Sequence, residues 1–556
     1  MRLRTRRIRM ALAAPLALAT AAAVASCSAS GAGSGSSGGV LHIGTTYPID
    51  SMNPFVAQSD YSYAVYEYVY PQLVQYNARL GIAPDFARSW SVSPDGKSWT
   101  FHTVPHARWS DGTPLTAADV AWTINEVMKY KNGPAGQWAG LLEHMTGATA
   151  PNPTTVVIRY STPVANVLAQ MQSMSVLPRQ VWAPYFTGKG SGLKTFPNQP
   201  PANGKPMVSG GPFELVRYKA NQYALFKRNP NWWGPKPKIE GFGLQFFSNA
   251  DAMVQALKDG QVDFVGEYTP PTAVAALKKA GFAVTTTPSI SMKTFIINTN
   301  PHKTTHRELL DPRVREAIEY ATDRSQIIKT AWLGLAAPGS TIIAPADGSW
   351  HDSGIKALPF DLAKANALLN AAGYKMGPNG MRIAGGHPMS YNVIFPPDER
   401  GTGDRTFQIM QSDLAKIGIS ISQQNMDDSA TFNAISHDSY RTFDMAMWDW
   451  VPPVDPDFML SVVTCAQLGN NSDSGYCNSA YDRMYAKQST LISTSARRAL
   501  IGQMQRYLYA AKPYIILDYP DIIEAHSPKW TGFVVAPVMG SVNSLSTQTL
   551  LQVHQS

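Results

Sequence analysis

Apolar and polar residues alternate in short runs along this chain, and the runs change period from two to about 3.6 and back. Trp90-Ser91-Val92 and Ser98-Trp99-Thr100-Phe101-His102-Thr103 alternate large and polar side chains around Ser93-Pro94-Asp95-Gly96-Lys97, so they predict a hairpin. A second turn, Trp109 to Pro114, leads into a helix with Thr116 as N-cap and Asp119 three residues on. That is a capping box, with Leu115 and Val120 in the two staple positions. Further on, Asp311-Pro312 opens a helix whose Val314, Ala317, Ile318 and Ala321 share one face. Asp361 caps Leu362, Ala365 and Leu369, closed by Gly373, and Phe407, Met410, Leu414 and Ile417 make a helix closed by Gly418 before the strand Ile419 to Ile421. Asp251 reads as the cap of a helix ending at Leu257, with Gly260 as the left-handed residue beyond it and Val262 to Val265 as the next strand. Val40 to Thr46, Thr155 to Tyr160 and Phe295 to Thr299 are further strands, Val164 to Met174 a helix, and Gly188 to Pro206 an irregular loop. Helix, glycine, strand in repetition is the rhythm of an α/β protein.

A chain of 556 residues exceeds what one hydrophobic core supports, so two or three domains are expected. Hydrophobic residues at 44% and charged residues at 15% describe a globular protein rather than a disordered one. The net charge of +8 invites a nucleic-acid partner, but residues 1–26 hold five arginines and no acid, so the remainder carries only +3. Those residues read as an export signal: basic start, apolar run from Met10 to Val24 broken by Pro15, then Val24-Ala25-Ser26-Cys27. The tetrapeptide is similar to a lipobox, which makes Cys27 the lipidated residue of a protein anchored to the outer face of a bacterial cell membrane. Residues 28–39, entirely Ser, Ala and Gly, follow as a flexible tether with a reach of about 20 Å.

The run "SWSVSPDGKSWTF" and the later "WSDGTPLTAADV" together resemble the signature of the extracytoplasmic solute-binding proteins of ABC importers, within the dipeptide, oligopeptide and nickel group known as family 5. "DPRVREAIEYATDRSQII" and "SGGPFEL" are similar to segments of the same group, and the resemblance covers essentially the whole mature chain. It implies an α/β, two-lobed periplasmic-binding-protein-like fold of type II, with a hinge and a cleft. The expected parts are a signal over 1–26, a tether over 27–39, lobe I over 40–285 with an extra subdomain about 71–204, lobe II over 290–517, and a return to lobe I over 518–556. The chain would cross between lobes near 286–294 and near 517–524. It also implies a monomer without cofactor that takes a peptide or other small solute and passes it to a permease and its ATPase subunits. A receptor for nickel chelate, haem or a sugar, or an exported enzyme, fits the same scaffold.

No catalytic constellation survives inspection. Gly35 to Gly39 matches G-x-S-x-G but has neither strand before nor helix after, and Ser91 stands where the first glycine of a P-loop would be. His102 with His106 and His302 with His306 are four apart, yet Pro105 interrupts the first pair and the second precedes its helix, so both read as solvated loop histidines. Cys465 and Cys477, twelve apart across a polar loop in an exported chain, predict a disulfide, with free or metal-binding thiols as the alternative. The twin tryptophans Trp232-Trp233 read as pins of a turn rather than as sugar platforms. Phe443 to Pro456 resembles the family segment in which a strand ends in a tryptophan at the cleft, and counting six from Asp444 gives Trp450. Trp448 and Asp449 beside it, and Tyr47 on the loop after the first strand, complete the expected ligand-binding set. Peptide-binding relatives often carry an aspartate three residues after this tryptophan, to meet the α-amino group. Pro453 stands there instead, leaving Asp449 and Asp455 as replacements.

Overall fold

The computed structural model describes residues 39–47, 49–57, 59–200, 203–266, 269–397, 401–438, 440–537 and 547–556. The expected export signal, Cys27 and nearly all of the tether lie outside these residues. No helix among the described residues is long and apolar enough to cross a membrane.

One strand, Tyr514–His526, organises the molecule. Its first half pairs antiparallel with Met292–Ile297, Ile296 opposite Tyr514, and its second half with Ala283–Pro288, Ala283 opposite His526. The sheet extends in both directions from it. On one side lie Met292–Ile297, Met445–Trp450, Ser390–Phe395 and Ser420–Asn425, and on the other Phe264–Val265, Val40–Thr45, Gly241–Phe246, Tyr223–Arg228 and Phe213–Lys219. The chain passes between halves at 289–291 and 519–520, and the hydroxyl of buried Ser289 donates to the carbonyl of Pro520 at 2.6 Å, tying the two passages together.

Within each half the parallel strands follow the same rule. Val40–Thr45 lies between the parallel strands Gly241–Phe246 and Phe264–Val265. Ser390–Phe395 lies between Ser420–Asn425 and Met445–Trp450. Each middle strand is therefore a topological switch point, beyond whose carboxyl end α/β proteins form their binding crevices. The second half packs helices on both faces of its sheet, and Met292–Ile297 shows it: Phe295 and Ile297 belong to one apolar cluster, Met292 and Ile296 to another. All six residues of that strand are buried, which is why its apolar run is continuous rather than alternating.

A four-stranded antiparallel sheet, Ala87–Val92, Ser98–Thr103, Thr155–Tyr160 and Met145–Asn152, stands apart from the main sheet and packs against the helix Ala117–Lys129. That helix carries the capping box read from the sequence, and Leu115 and Val120 are both buried. The helix Ala250–Lys258 departs from expectation at its start: Asn249 caps it, accepting from Ala252 N–H at 2.8 Å, and Asp251 sits in the first turn. Asparagine two residues earlier competes equally well for the orphan N–H groups. Strand edges also move, to Met292–Ile297 and Ser420–Asn425, because hydrogen-bonded partners rather than side-chain type set where a ladder ends.

The subdomain reaches across to the second half. In the hairpin Val74–Tyr76 and Ile82–Pro84, Tyr76 is only 6% exposed and packs, with Leu80 and Ile82, in the apolar cluster of Ile501, Met504 and Leu460. Ala165 N–H donates to Ser489 carbonyl at 2.8 Å, a second bond between the halves. Gly96, at φ 71°, lies so close to Ile492 that a Cβ there would collide. Tyr76→Ala should therefore cost about 3 kcal/mol of stability and enlarge the radius of gyration in small-angle scattering. Val74→Ala, whose side chain is buried in the first half's own core, should lower stability without changing the radius.

Candidate functional site

Register decides where the switch points face. Trp450 is opposite Met292, and Lys293 is opposite both Asp449 and Asp518, so the carboxyl end of Met445–Trp450 lies at the level where the chain crosses between halves. Ser390–Phe395 runs parallel to it and ends on the same side. In the first half, Val265 is opposite Ala525 and the strand climbs toward Pro520, so Phe264–Val265 and its parallel neighbour Val40–Thr45 also end toward the crossing. The carboxyl ends of both sets of parallel strands thus point at one another across the hinge. The loops leaving them, after Thr45, Phe246 and Val265 on one side and after Phe395, Asn425 and Trp450 on the other, form the walls of the candidate site.

The expected residues divide between these walls. Trp448 and Trp450, two apart on a strand, share one face and pack against the Ile296–Ile516 cluster, half-buried. The Trp450 ring lies 5.7 Å from Phe458 at a steep angle, and its Nε1–H donates to Asp473 Oδ2 at 2.9 Å. Its one polar group is therefore engaged inside the protein, and what it offers a ligand is apolar surface. The Trp448 carbonyl is engaged too, accepting from the Thr294 hydroxyl at 2.8 Å. Asp449 points to the opposite face, partly exposed at 39%, with Lys293 Nζ at 3.4 Å. Tyr47 belongs to the first wall, where it lines a small recess with Tyr218, Tyr223 and Phe246. Asp455, the other replacement for the missing aspartate, is committed elsewhere: both its oxygens accept from buried Arg497 at 2.7 Å. A bidentate pair at that depth does not come apart to greet a ligand.

Several site residues carried no sequence signal. Lys293 is 3% exposed, within reach of the Thr402 hydroxyl at 3.5 Å and 5.8 Å from the centre of the buried Trp332 ring. It precedes the apolar run Phe295 to Ile297, and only the observed register shows that it faces Asp449. Burial, then the charges of Asp427 and Asp449, raises the Asp428 carboxyl above its ordinary value, so Asp428 on the wall after Asn425 stands within electrostatic reach of Asp449. Asp473 is fully buried and accepts from Trp450 and from the Tyr514 hydroxyl. Its loop is closed by a bond between Cys465 and Cys477, whose Cα atoms are 4.4 Å apart, and is sewn to the end of strand Met292–Ile297 through Thr299 N–H to Ser474 carbonyl at 2.8 Å.

The histidines read as solvated are not all so. His306 is part-buried and its Nδ1 lies 2.7 Å from Asp444, which also holds Lys303 at 3.2 Å. Isolated i, i+4 spacing could not show this, because Asp444 arrives from 138 residues away. Trp232 and Trp233 stand with ring centres 4.1 Å apart, and Trp232 Nε1–H donates to Pro235 carbonyl, pinning the turn.

Residues 81–470 match the family model described as "Bacterial extracellular solute-binding proteins, family 5 Middle". The nickel-binding periplasmic protein of Escherichia coli (strain K12) is 26% identical over 508 residues, which is 89% of this chain and 92% of that one. Among solved structures, the oligopeptide-binding protein AppA of Bacillus subtilis, in complex with a nonapeptide, superposes with a TM-score of 0.78 at 18% identity, over 94% of this chain and 99% of that one. NikZ of Campylobacter jejuni, in complex with Ni(L-His), gives 0.78 at 21% identity over 93% and 99%. These structures share the type II, two-lobed α/β fold.

Burial pushes the Asp473 carboxyl up to about 6, against the lowering effect of the bonds from Tyr514 and Trp450. The folded protein therefore favours protonated Asp473, and this contribution to stability is present below pH 4 and lost as pH rises to about 6. The fluorescence difference between wild type and Trp450→Phe should titrate with a midpoint near pH 6. In Asp473→Asn, the same difference should be flat across that range.

Proposed function

Because the chain belongs to the bacterial extracellular solute-binding proteins of family 5, the non-catalytic binding components of ABC importers, we propose that it captures an oligopeptide between two closing lobes. The lobes are the half built on Val40–Thr45, with residues 71–204 as its added subdomain and 518–556 as its return, and the half of about 290–517. The observation that carries the peptide reading is Asp449. It is the partly exposed acid at the carboxyl end of a cleft strand, beside an aromatic pair, while Asp455 is held by Arg497. A carboxylate there meets a peptide's α-amino group, and the exposed surfaces of Trp448, Trp450 and Tyr47 accept apolar side chains without strict selection. Lys293 Nζ, 3.4 Å away, holds Asp449 in place before the solute arrives, which lowers the cost of ordering it on binding.

A second reading, a nickel chelate, is supported by the similarity to the nickel-binding protein of E. coli. Calorimetry separates the two. A pool of short peptides should bind, and one binding member should lose at least tenfold in affinity on N-terminal acetylation and to a similar degree in Asp449→Asn. Trp450→Ala should weaken the same peptide by about 2 kcal/mol, as loss of a buried aromatic anchor does. Binding of nickel-histidine with no peptide uptake would replace the peptide reading. Acetylation without effect would remove Asp449 from the role of anchor.

Delivery to a permease requires the receptor to stay at the membrane, and we assign that to Cys27, which follows Val24-Ala25-Ser26 and precedes the Ser/Gly tether. Cys27→Ala should accumulate as an uncleaved precursor that takes up no labelled fatty acid. Labelling of that variant equal to wild type would dismiss the assignment.

A further inference from the structure

The parallel strands of the first half begin at the end of their sheet that lies opposite the candidate site, and the order of the chain gathers lysines there. Val40 opens the middle strand opposite Gly241, while Phe264 and Ala283 both lie opposite His526. The helix Ala250–Lys258 connects the carboxyl end of Gly241–Phe246 to the amino end of Phe264–Val265, so its last turn brings Lys258 to this end. The helix Val274–Lys279 leads into Ala283 in the same way and brings Lys278 and Lys279. Lys236 and Lys238 stand just before Gly241, and Lys238 N–H donates to the Leu551 carbonyl at 3.2 Å. Lys529 stands just after His526, and its carbonyl accepts from Ser556 N–H at 2.9 Å.

All six lysines are exposed, and none has an ion-pair partner among the described residues. Three of them answer to local chemistry, because a cation in the last turn of a helix faces its carbonyl end. No helix end asks for Lys236, Lys238 or Lys529, which lie on loops. Negative groups at this end are fewer: Glu240, Asp259 and the Ser556 carboxylate, with Asp263 engaged by His42 N–H at 2.9 Å. The surplus is positive, in a mature chain whose whole net charge is only +3.

A second feature decides what this end faces. The described chain begins here: the Gly39 carbonyl accepts from Glu240 N–H at 3.2 Å, and Gly39 lies against Gln555 and Trp530. Residues 28–39 reach about 20 Å, so a lipid on Cys27 keeps this end close to the bilayer. Charges are screened beyond about 10 Å in ordinary salt, and such a tether brings the lysines within that range. Among the large apolar residues exposed in the described chain only Val40 is at this end, too few for the core of a protein–protein interface. We propose that these lysines form a docking surface for the anionic headgroups of the membrane. Docked this way, the receptor turns the carboxyl ends of its strands, and the cleft with them, away from the lipid.

The test uses the chain from Ser28 onward, which keeps every described residue and carries no lipid. The surface is thereby tested apart from the Cys27 reading on which the argument from distance rests. At low salt the chain should bind vesicles of phosphatidylcholine with phosphatidylglycerol about tenfold or more above vesicles of phosphatidylcholine alone. Salt at about 0.5 M should abolish the difference, and so should Lys236→Glu, Lys238→Glu and Lys529→Glu combined. The same reversal at Lys97, Lys131 and Lys487, exposed lysines elsewhere, should leave most of it. Equal binding to both kinds of vesicle, or equal loss in the two triple variants, would overturn the surface. Binding to native membrane vesicles but not to pure anionic lipid would give this face to a protein and reject the proposal. Should the first triple variant fail to fold, the wild type decides. Anionic vesicles should shield Lys258, Lys278 and Lys279 several-fold from acetic anhydride and leave Lys97, Lys131 and Lys487 as reactive as before. Uniform labelling would equally reject the surface.

Discussion

Everything in this molecule depends on one strand serving two sheets. Buried N–H and C=O groups must find partners, and a two-lobed protein that crosses its middle in irregular loops would leave many unpaired. Tyr514–His526 avoids this by carrying one ladder through the crossing, bonded to Met292–Ile297 on one side of it and Ala283–Pro288 on the other. At Pro520, which has no N–H to give, the short strand Ala336–Pro338 pairs with Asp518–Pro520 and the Ser289 hydroxyl takes up the Pro520 carbonyl. The backbone groups at the point where the halves meet are therefore paired as well.

That arrangement explains why the binding wall is built as it is. Strands that end at a hinge present loops to the space between lobes, and loops can change length and chemistry without disturbing the ladder. The aromatic face of Trp448 and Trp450 and the charged face of Asp449 and Lys293 issue from one strand end, so their mutual position is fixed by pleat geometry rather than by flexible side chains. The hairpin with Tyr76 and the Ala165–Ser489 bond meanwhile hold the subdomain against the far half. The contacts between the halves are therefore distributed between the crossing and a patch well away from it.

Much of the fold was legible in sequence because its strongest signals are local. The capping box at Thr116 and Asp119, the cap and proline at Asp311-Pro312, and the hairpin around Pro94 to Lys97 each need only neighbours within about four residues. The α/β rhythm and the family resemblance followed from such pieces. Asn249 does not stand out in the sequence because it and Asp251 lie two residues apart, and local pattern ranks them equally as caps. The site was less legible because its partners are remote in the chain. Lys293 faces Asp449, His306 meets Asp444, and Asp455 is claimed by Arg497, pairings 156, 138 and 42 residues apart that only a register can reveal. Spacing singled out Trp450, but that its N–H is already bound to Asp473 was beyond any pattern along the chain.

The loop that supplies Asp473 has a consequence for timing. Asp473 lies inside the ring closed by Cys465 and Cys477, so the group that orients Trp450 sits on a segment whose ends are fixed covalently. Thiols stay reduced in the cytoplasm and pair after export. A chain still inside the cell would then hold its scaffold and its hinge but not a settled aromatic platform. Competence to hold a solute would be acquired in the same compartment as the solute itself, and premature loading would be prevented by redox state rather than by any dedicated inhibitor.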